Sequence, residues 1–208
     1  MFKEFFDENY YENGIQSDKS LYQNFRWIPE LTIPLAHHII QNIPISKHET
    51  VMDFGCAKGY LVQALRLLGV DAYGVDISNY AIDKATKETS EFVKLIKPFD
   101  EDFLFCDVLL CKDILEHIPY EFLDTQLNIL RNKCTKIFAI IPLGLGGKYI
   151  IPAYELDKSH YIRESEKWWE AKFNSVGFLN IKVTTNLGPF KSAWQNVDPK
   201  GNVLIVGT

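Results

Sequence analysis

Hydrophobic positions follow two periodicities from about Glu49 to the end of the chain. Short apolar runs such as TVMDF and KIFAIIPL have the length of buried strands, and the segments between them carry leucines at helical spacing. Leu61, Leu65 and Leu68, for example, recur at i, i+4 and i+7, and Gly69 follows them as a helix terminator. This pattern predicts strands that alternate with helices.

The alternation extends through the rest of the chain. Further strand-like runs are AYGVDI, EFVKLI, CDVLLCKD, NIKVTT and NVLIVGT. Further helices are predicted in NYAIDKATKE, in the segment after Pro119 that carries Leu123, Leu127 and Leu130, and in SEKWWEAKFNSVG. We therefore predict an α/β fold with an open, mostly parallel, doubly wound sheet.

Residues 1–48 differ from the remainder because they are rich in aromatic side chains and show helical stretches interrupted by Pro29, Pro34 and Pro44. We interpret this segment as a helical cap or lid over the carboxyl edge of the sheet. The predicted division is a cap at 1–48 and a ligand-binding domain at 49–208.

The composition indicates one soluble domain. The chain has 208 residues, of which 47% are hydrophobic and 24% charged, and no apolar run approaches the ~18 residues of a membrane span. Its start has no signal-peptide pattern, and its four cysteines form no C-x-x-C pair, which predicts reduced, buried thiols in a cytoplasmic protein. The net charge of −5 argues against a nucleic-acid partner.

A strand, a turn of small residues and a helix follow one another in VMDFGCAKGYLVQALRLLG, a pattern typical of nucleotide binding. Gly55, Ala57 and Gly59 keep the turn small, and the lysine that a P-loop requires after its last glycine is missing. Asp53 would face the pyrophosphate of a dinucleotide, where like charges ~4 Å apart repel by about 4 kcal/mol at an effective dielectric of ~20. The same carboxylate would attract the ammonium and sulfonium groups of S-adenosylmethionine.

Asp76 ends the next strand and is placed to accept hydrogen bonds from both ribose hydroxyls of a nucleotide. Dinucleotide and S-adenosylmethionine sites share such an acid, so it does not discriminate between them. A strand-to-helix turn in which Asp76 only caps a helix is the structural alternative.

The motifs resemble those of class I S-adenosylmethionine-dependent methyltransferases of the small-molecule branch. VMDFGCAKG resembles the acidic glycine-rich first motif, with Ala57 in place of its middle glycine. YGVDIS resembles the second motif, and CDVLLCKDILEHIP resembles the fourth strand with the turn that follows it. A late segment, SHYIRESEKWWEAKFNSVGF, also resembles this branch. The resemblance implies S-adenosylmethionine as cofactor.

The resemblance assigns site residues position by position. It places Asp53, Gly55, Cys56, Ala57 and Gly59 around the methionine end of the cofactor. It places Asp76 and Ile77 at the ribose, and Lys112, Asp113 and His117 along the rest of the pocket. Asp100, Glu101 and Asp102 stay equivalent candidates for the adenine contact. In the cap, Arg26 is a candidate partner of the cofactor carboxylate, and Tyr10, Tyr11 and Tyr22 are candidate lid residues.

Methyl transfer to a hydroxyl or an amine also removes a proton, for which a histidine at the carboxyl edge is suited. His117 and His160 are the candidates, and each is open to a purely structural interpretation. At least one of Trp168 and Trp169 is expected in the core. We predict no metal, because the D…D-N ligand set of metal-dependent relatives is incomplete.

The predicted function is methyl transfer to an O or N atom of a small polar metabolite, with a sugar or sugar-nucleotide derivative of surface-polysaccharide or secondary-metabolite biosynthesis favoured. The alternatives are a non-catalytic module that binds the cofactor and, less favoured, a nicotinamide-dependent oxidoreductase. The sequence leaves the acceptor and the oligomeric state open.

Overall fold

The computed structural model describes residues 2–43 and 45–208, and within them the predicted sheet is present. The strands in chain order are β1 Thr50–Phe54, β2 Asp71–Asp76, β3 Val93–Leu95, β4 Cys106–Lys112, β5 Cys134–Pro142, β6 Gly144–Leu145, β7 Lys148–Tyr149, β8 Lys182–Thr184 and β9 Asn202–Gly207. The main sheet has the order β3-β2-β1-β4-β5-β9-β8, and β6 and β7 form a separate hairpin. Strand β9 runs antiparallel to both neighbours and the other pairs are parallel, which confirms a mostly parallel sheet.

Helices cover both faces of this sheet. They are α1 Phe2–Phe5, α2 Glu8–Glu12, α3 Pro29–Asn42, α4 Tyr60–Leu67, α5 Asn79–Asp83, α6 Tyr120–Asn132, α7 Glu166–Ser175 and α8 Ser192–Val197. Apolar side chains of α3 and α4 pack on one face, and those of α6 and α7 pack on the other. Trp169 is fully buried in α7, as expected for at least one of the two tryptophans.

Two local expectations were wrong. Leu68 lies beyond the end of α4 and is 39% exposed, because Gly69 adopts a left-handed φ of 82° and turns the chain away. The helix expected over NYAIDKATKE ends at Asp83. After it, the chain turns, and the Thr89 hydroxyl donates to the carbonyl oxygen of Thr86 over 3.2 Å, the kind of local side-chain bonding by which threonine competes with a helix.

Helix α3 belongs to the sheet layer and does not lie over the carboxyl edge. Pro29 begins it, at a position where a missing N–H costs little, and Pro34 lies inside it on an exposed side, so the helix continues through both prolines that were expected to interrupt it. Pro44 is outside the described residues. Ala36 and Ile39 of α3 are fully buried in the cluster that contains α4. The boundary at residue 48 stays a prediction, and this packing favours one before Pro29.

Residues 2–28, called the cap below, lie across the carboxyl ends of β1, β2 and β4. Ser78 Oγ donates to the carbonyl oxygen of Phe6 over 2.5 Å, and Lys58 pairs with Glu12 and donates to the carbonyl oxygen of Phe25 over 2.7 Å. These bonds attach the cap to the loops that follow β1 and β2. None of the described helices is long and apolar enough to cross a membrane.

Candidate active site

The turn after β1 has the backbone geometry that small residues permit. Gly55, Ala57 and Gly59 all have left-handed φ values, of 82°, 49° and 77°. A Cβ atom on Gly55 would come within 2.6 Å of Ile114 Cδ1, so glycine is required there for space as well as for conformation. Ala57 is the departure from the resembling motif, and it occupies a conformation that alanine rarely adopts.

Asp76 holds this turn in place. Its carboxylate accepts the N–H of Ala57 through Oδ2 and the N–H of Ser78 through Oδ1, each over 2.7 Å. Burial raises the pKa of Asp76, and the N–H donors oppose that rise. Two backbone hydrogen bonds leave further lone pairs on the two carboxylate oxygens, so the same group can also accept from ribose hydroxyls.

A cavity with an empty volume of about 890 Å³, including its open mouth, lies between the cap and the carboxyl edge of the sheet. Six of the predicted cofactor residues line it, namely Gly55, Ala57, Asp76, Ile77, Asp113 and His117. These residues come from the ends of β1, β2 and β4. The sheet therefore brings together residues that are up to 62 positions apart, from Gly55 to His117, around one space.

The remaining predicted residues do not line the cavity among the described residues. Asp53 and Cys56 are buried beside it, Gly59 ends the turn where α4 begins, and Lys112 pairs with Asp113. Arg26 is exposed on the cap. Roles for Asp53, Cys56, Gly59, Lys112 and Arg26 in binding a cofactor stay predictions.

Asp53 is nevertheless electrostatically unusual. Burial raises its pKa from 3.8 to about 7, the Lys112 ammonium opposes the rise, and the negative charge of Asp76 adds to it. A cation bound nearby would favour the ionised form and lower this pKa again.

The adenine end of the cavity differs from the expectation. The chain after β3 contributes Ile96, Lys97, Pro98 and Phe99 to the lining, whereas the three candidate acids Asp100, Glu101 and Asp102 do not line it. Phe99 packs against Phe122 at a ring-centroid distance of 4.7 Å. This wall offers apolar and aromatic contact to a planar group rather than a carboxylate.

The cap closes the opposite side with aromatic rings. Phe6, Tyr10, Tyr11 and Tyr22 line the cavity, as the lid hypothesis expected for the three tyrosines. Tyr10 donates to Asp157 Oδ2 over 2.8 Å, and Phe6 contacts the His117 ring edge-on at a centroid distance of 5.8 Å. Burial raises the pKa of both Tyr10 and Tyr11, so these hydroxyls remain protonated.

Asp113 lies at the end of β4 with a left-handed φ of 55°. Its carboxylate pairs with Lys112 and, over 2.5 Å, with the buried ammonium of Lys191. Burial alone would raise the pKa of Asp113, and the two lysines together hold it below its usual range. Asp113 is therefore an ionised group whose charge is already balanced.

His117 and His160 are adjacent, with ring centroids 4.6 Å apart. His117 lines the cavity, and His160 lies behind it and is 9% exposed. The short 3₁₀ turn Leu115–His117 follows β4, and the carbonyl oxygen of Glu116 accepts the N–H groups of Tyr161 and Ile162, which ties the later loop to it. Burial lowers the pKa of His117, and burial together with the His117 charge lowers that of His160 to about 4.

Sequence reasoning missed Glu116, which lies between these histidines. It is 1% exposed, and neither of its carboxylate oxygens has a hydrogen-bond partner among the described residues. Burial raises its pKa well above the usual range, and the charges of Asp113 and Asp157 add to the rise. Glu116, His117 and His160 each offer a ligand atom within 4.8 Å of the others, and the adjacent Glu and His in DILEH were the available signal.

The sequence matches known proteins. A family model described as a methyltransferase domain matches residues 29–133. The chain is 30% identical over 164 residues to the ubiquinone biosynthesis O-methyltransferase of Paraburkholderia phymatum, a match that covers 65% of this chain and 67% of that protein. The match to the family model begins at residue 29, where α3 begins, and not at residue 49.

Solved structures share the fold. A SAM-dependent methyltransferase from Archaeoglobus fulgidus superposes with a TM-score of 0.64 at 17% identity, covering 83% of this chain and 92% of that one. Phosphoethanolamine N-methyltransferase 2 of Haemonchus contortus, in complex with S-adenosylmethionine, superposes with a TM-score of 0.69 at 16% identity over 100% of this chain and 60% of that one. At these identities the likeness concerns the fold.

Proposed function

The chain belongs to the S-adenosylmethionine-dependent methyltransferases, and we propose that it transfers the methyl group to a hydroxyl oxygen of a small acceptor. The proposal is carried by one observation, which is that a single cavity is lined both by the cofactor-motif residues and by the aromatic cap. The cofactor fits against Gly55, Ala57 and Asp76. The acceptor fits between the cap and His117.

Placement accounts for much of the catalysis in this reaction. The methyl carbon is already activated by the sulfonium, so the protein has to hold the acceptor oxygen ~3 to 3.5 Å from it and in line with the C–S bond. The cap attachments at Ser78 and Lys58 hold the aromatic rings of the cap over the same space.

The cavity favours an acceptor with a planar or apolar part. Phe6, Tyr10 and Tyr22 present ring edges and faces on the acceptor side, and rings of this kind stack on aromatic ligands. The similarity to proteins named ubiquinone biosynthesis O-methyltransferase supports oxygen over nitrogen as the target. The sugar derivative that the sequence favoured gains no support from these comparisons, and we replace it with a hydroxylated aromatic acceptor.

Two further parts of the proposal concern the setting. A small molecule is favoured over nucleic acid because the net charge is −5. The four cysteines are free and buried, which supports a reducing compartment such as the cytoplasm.

The test is a set of incubations with S-adenosylmethionine that carries a deuterated methyl group. Three acceptor classes are compared at equal concentration, namely catechols, aliphatic amines and sugar nucleotides, and mass spectrometry follows both S-adenosylhomocysteine and the deuterated product. The proposal expects a methyl ether from a catechol and no transfer to the amines. Transfer only to amines or sugar nucleotides would overturn the acceptor assignment, and a cofactor that binds without transfer to any class would favour the non-catalytic module.

A further inference from the structure

The sequence predicted no metal, but we propose that Glu116, His117 and His160 bind a divalent first-row transition-metal ion at the inner edge of the cavity. Their ligand atoms all lie within 4.8 Å of one another. His160 Nε2 and Glu116 Oε1 are 3.9 Å apart, and two ligands bound at ~2.1 Å to one ion cannot be more than ~4.2 Å apart. Only small side-chain movements are needed to close the set.

Glu116 supplies the strongest reason to expect an ion. A buried carboxyl group without hydrogen bonds is costly whether or not it is ionised, and in proteins such groups are usually hydrogen-bonded or coordinate metals. Glu116 has lost its contact with water, and neither oxygen finds a donor in the described part of the chain. A bound cation would satisfy both oxygens.

The two imidazoles are oriented as metal ligands usually are. His160 Nδ1 is 2.9 Å from the carbonyl oxygen of Tyr154, an acceptor only, so the proton lies on Nδ1 and the lone pair on Nε2. Ser159 Oγ donates to Asp157 Oδ1 over 2.5 Å, and therefore it accepts from His117 Nδ1, which is 2.7 Å away. These two contacts place the proton of each histidine on Nδ1 and the lone pair on Nε2.

The donor set selects the class of ion. Two imidazole nitrogens and one carboxylate suit zinc, manganese, iron or cobalt, whereas magnesium and calcium prefer an all-oxygen set. Three protein ligands leave positions open, and His117 lies on the cavity wall, so those positions face the acceptor. Asp157 Oδ2, 4.0 Å from His160 Nε2, is already taken up by the hydroxyl of Tyr10.

The ion would act on the acceptor, a consequence that rests on the proposed function. An acceptor hydroxyl at an open position loses its proton more readily, and the proton passes to solvent. The oxygen electron pair then forms the bond to the methyl carbon while the C–S bond breaks and leaves its pair on sulfur. His117 and His160 would in this case be metal ligands and not general bases.

Cobalt(II) provides the direct test, because its visible d–d spectrum reports nitrogen and oxygen ligation without any acceptor. The full chain, freed of metal by chelation, is titrated with cobalt(II) and the affinity is measured by calorimetry. We expect a single site that Glu116→Gln and His117→Gln each weaken by at least ~10 to 100-fold. The matched control is His48→Gln, which removes an exposed imidazole and should leave binding unchanged.

Each outcome is decisive for the site. Wild-type protein that binds no cobalt(II), or that binds it equally well in Glu116→Gln and His117→Gln, overturns the inference. Circular dichroism and titration with S-adenosylhomocysteine on the same samples show whether each variant is folded, and His117→Gln, at a half-buried position, provides a second variant if Glu116→Gln fails to fold. Wild-type protein that binds S-adenosylhomocysteine but no cobalt(II) contradicts only the metal site, whereas wild-type protein that binds no S-adenosylhomocysteine contradicts the proposed function.

Discussion

Replacement of Asp76 by asparagine should loosen the turn after β1. The wild-type carboxylate accepts two backbone N–H groups, and asparagine keeps one acceptor oxygen but turns an NH₂ group toward the other N–H. One hydrogen bond to a charged group contributes ~1.5 to 3 kcal/mol. Burial raises the pKa of Asp76, so the ionised carboxylate carries a cost that asparagine does not, and we expect the lower end, a loss of ~1.5 kcal/mol in the free energy of unfolding.

Urea unfolding at constant pH measures this loss, and Asp71→Asn is the matched control. Asp71 begins the same strand that Asp76 ends, is exposed, and pairs with Arg66 over 3.2 Å. Exposed pairs of this kind contribute ~0 to 1 kcal/mol, so the control should change little. Equal effects of the two variants would refute the view that Asp76 holds the turn.

Three further predictions follow from the same elements. Ala57→Gly relieves a left-handed φ of 49° and should leave the free energy of unfolding unchanged or raise it by up to ~1 kcal/mol. Gly55→Ala places a Cβ atom against Ile114 and should lower the free energy of unfolding by more than ~1 kcal/mol. Urea unfolding of the two variants checks this difference. Burial raises the pKa of Asp53 from its ordinary value of 3.8 to about 7, so between these pH values the folded state keeps a proton that the unfolded chain releases. Its stabilising contribution is present below about pH 4 and is lost as the pH rises to about 7, a change on the order of 4 kcal/mol that Asp53→Asn should abolish in a pH series of unfolding curves. Lys58→Met removes the ion pair with Glu12 and the hydrogen bond to the carbonyl oxygen of Phe25, and it should make the cap more susceptible to limited proteolysis. Lys47→Met, at an exposed position, should not change the cleavage rate. Equal cleavage of the two variants would contradict the role of Lys58 in attaching the cap.

The parts of the fold that could be predicted are those in which local sequence and long-range packing agree. From Ile137 onward strand β5 is an unbroken apolar run because it is buried on both faces, and α6 carries its leucines at helical spacing because only one side meets the sheet. The turn after β1 was recognisable because its conformation requires small residues. These constraints act within a few positions along the chain, so they leave a readable pattern.

The remaining parts depend on contacts that no local pattern records. Glu116 and His160 meet only because the loop at Tyr161 and Ile162 bonds to the carbonyl oxygen of Glu116, 45 residues earlier in the case of Tyr161. The sequence analysis assigned α3 to the cap, whereas the buried face of α3 packs against α4. An amphipathic pattern shows that one face of a helix is buried, but it does not show which element covers that face. Asp100, Glu101 and Asp102 were considered for the adenine contact because they are acidic, whereas the residues of this segment that line the cavity are Phe99 and its neighbours.

Calorimetric titration of S-adenosylhomocysteine, with NADH titrated in parallel, tests most directly that the cavity is a methyltransferase cofactor site. The account predicts that S-adenosylhomocysteine binds the wild-type chain at one site, that NADH does not bind, and that Asp76→Ala weakens the S-adenosylhomocysteine affinity by about 10 to 150-fold, the equivalent of one hydrogen bond to a charged group. Binding of NADH in place of S-adenosylhomocysteine, or an Asp76→Ala variant that binds S-adenosylhomocysteine as tightly as the wild type, would contradict it.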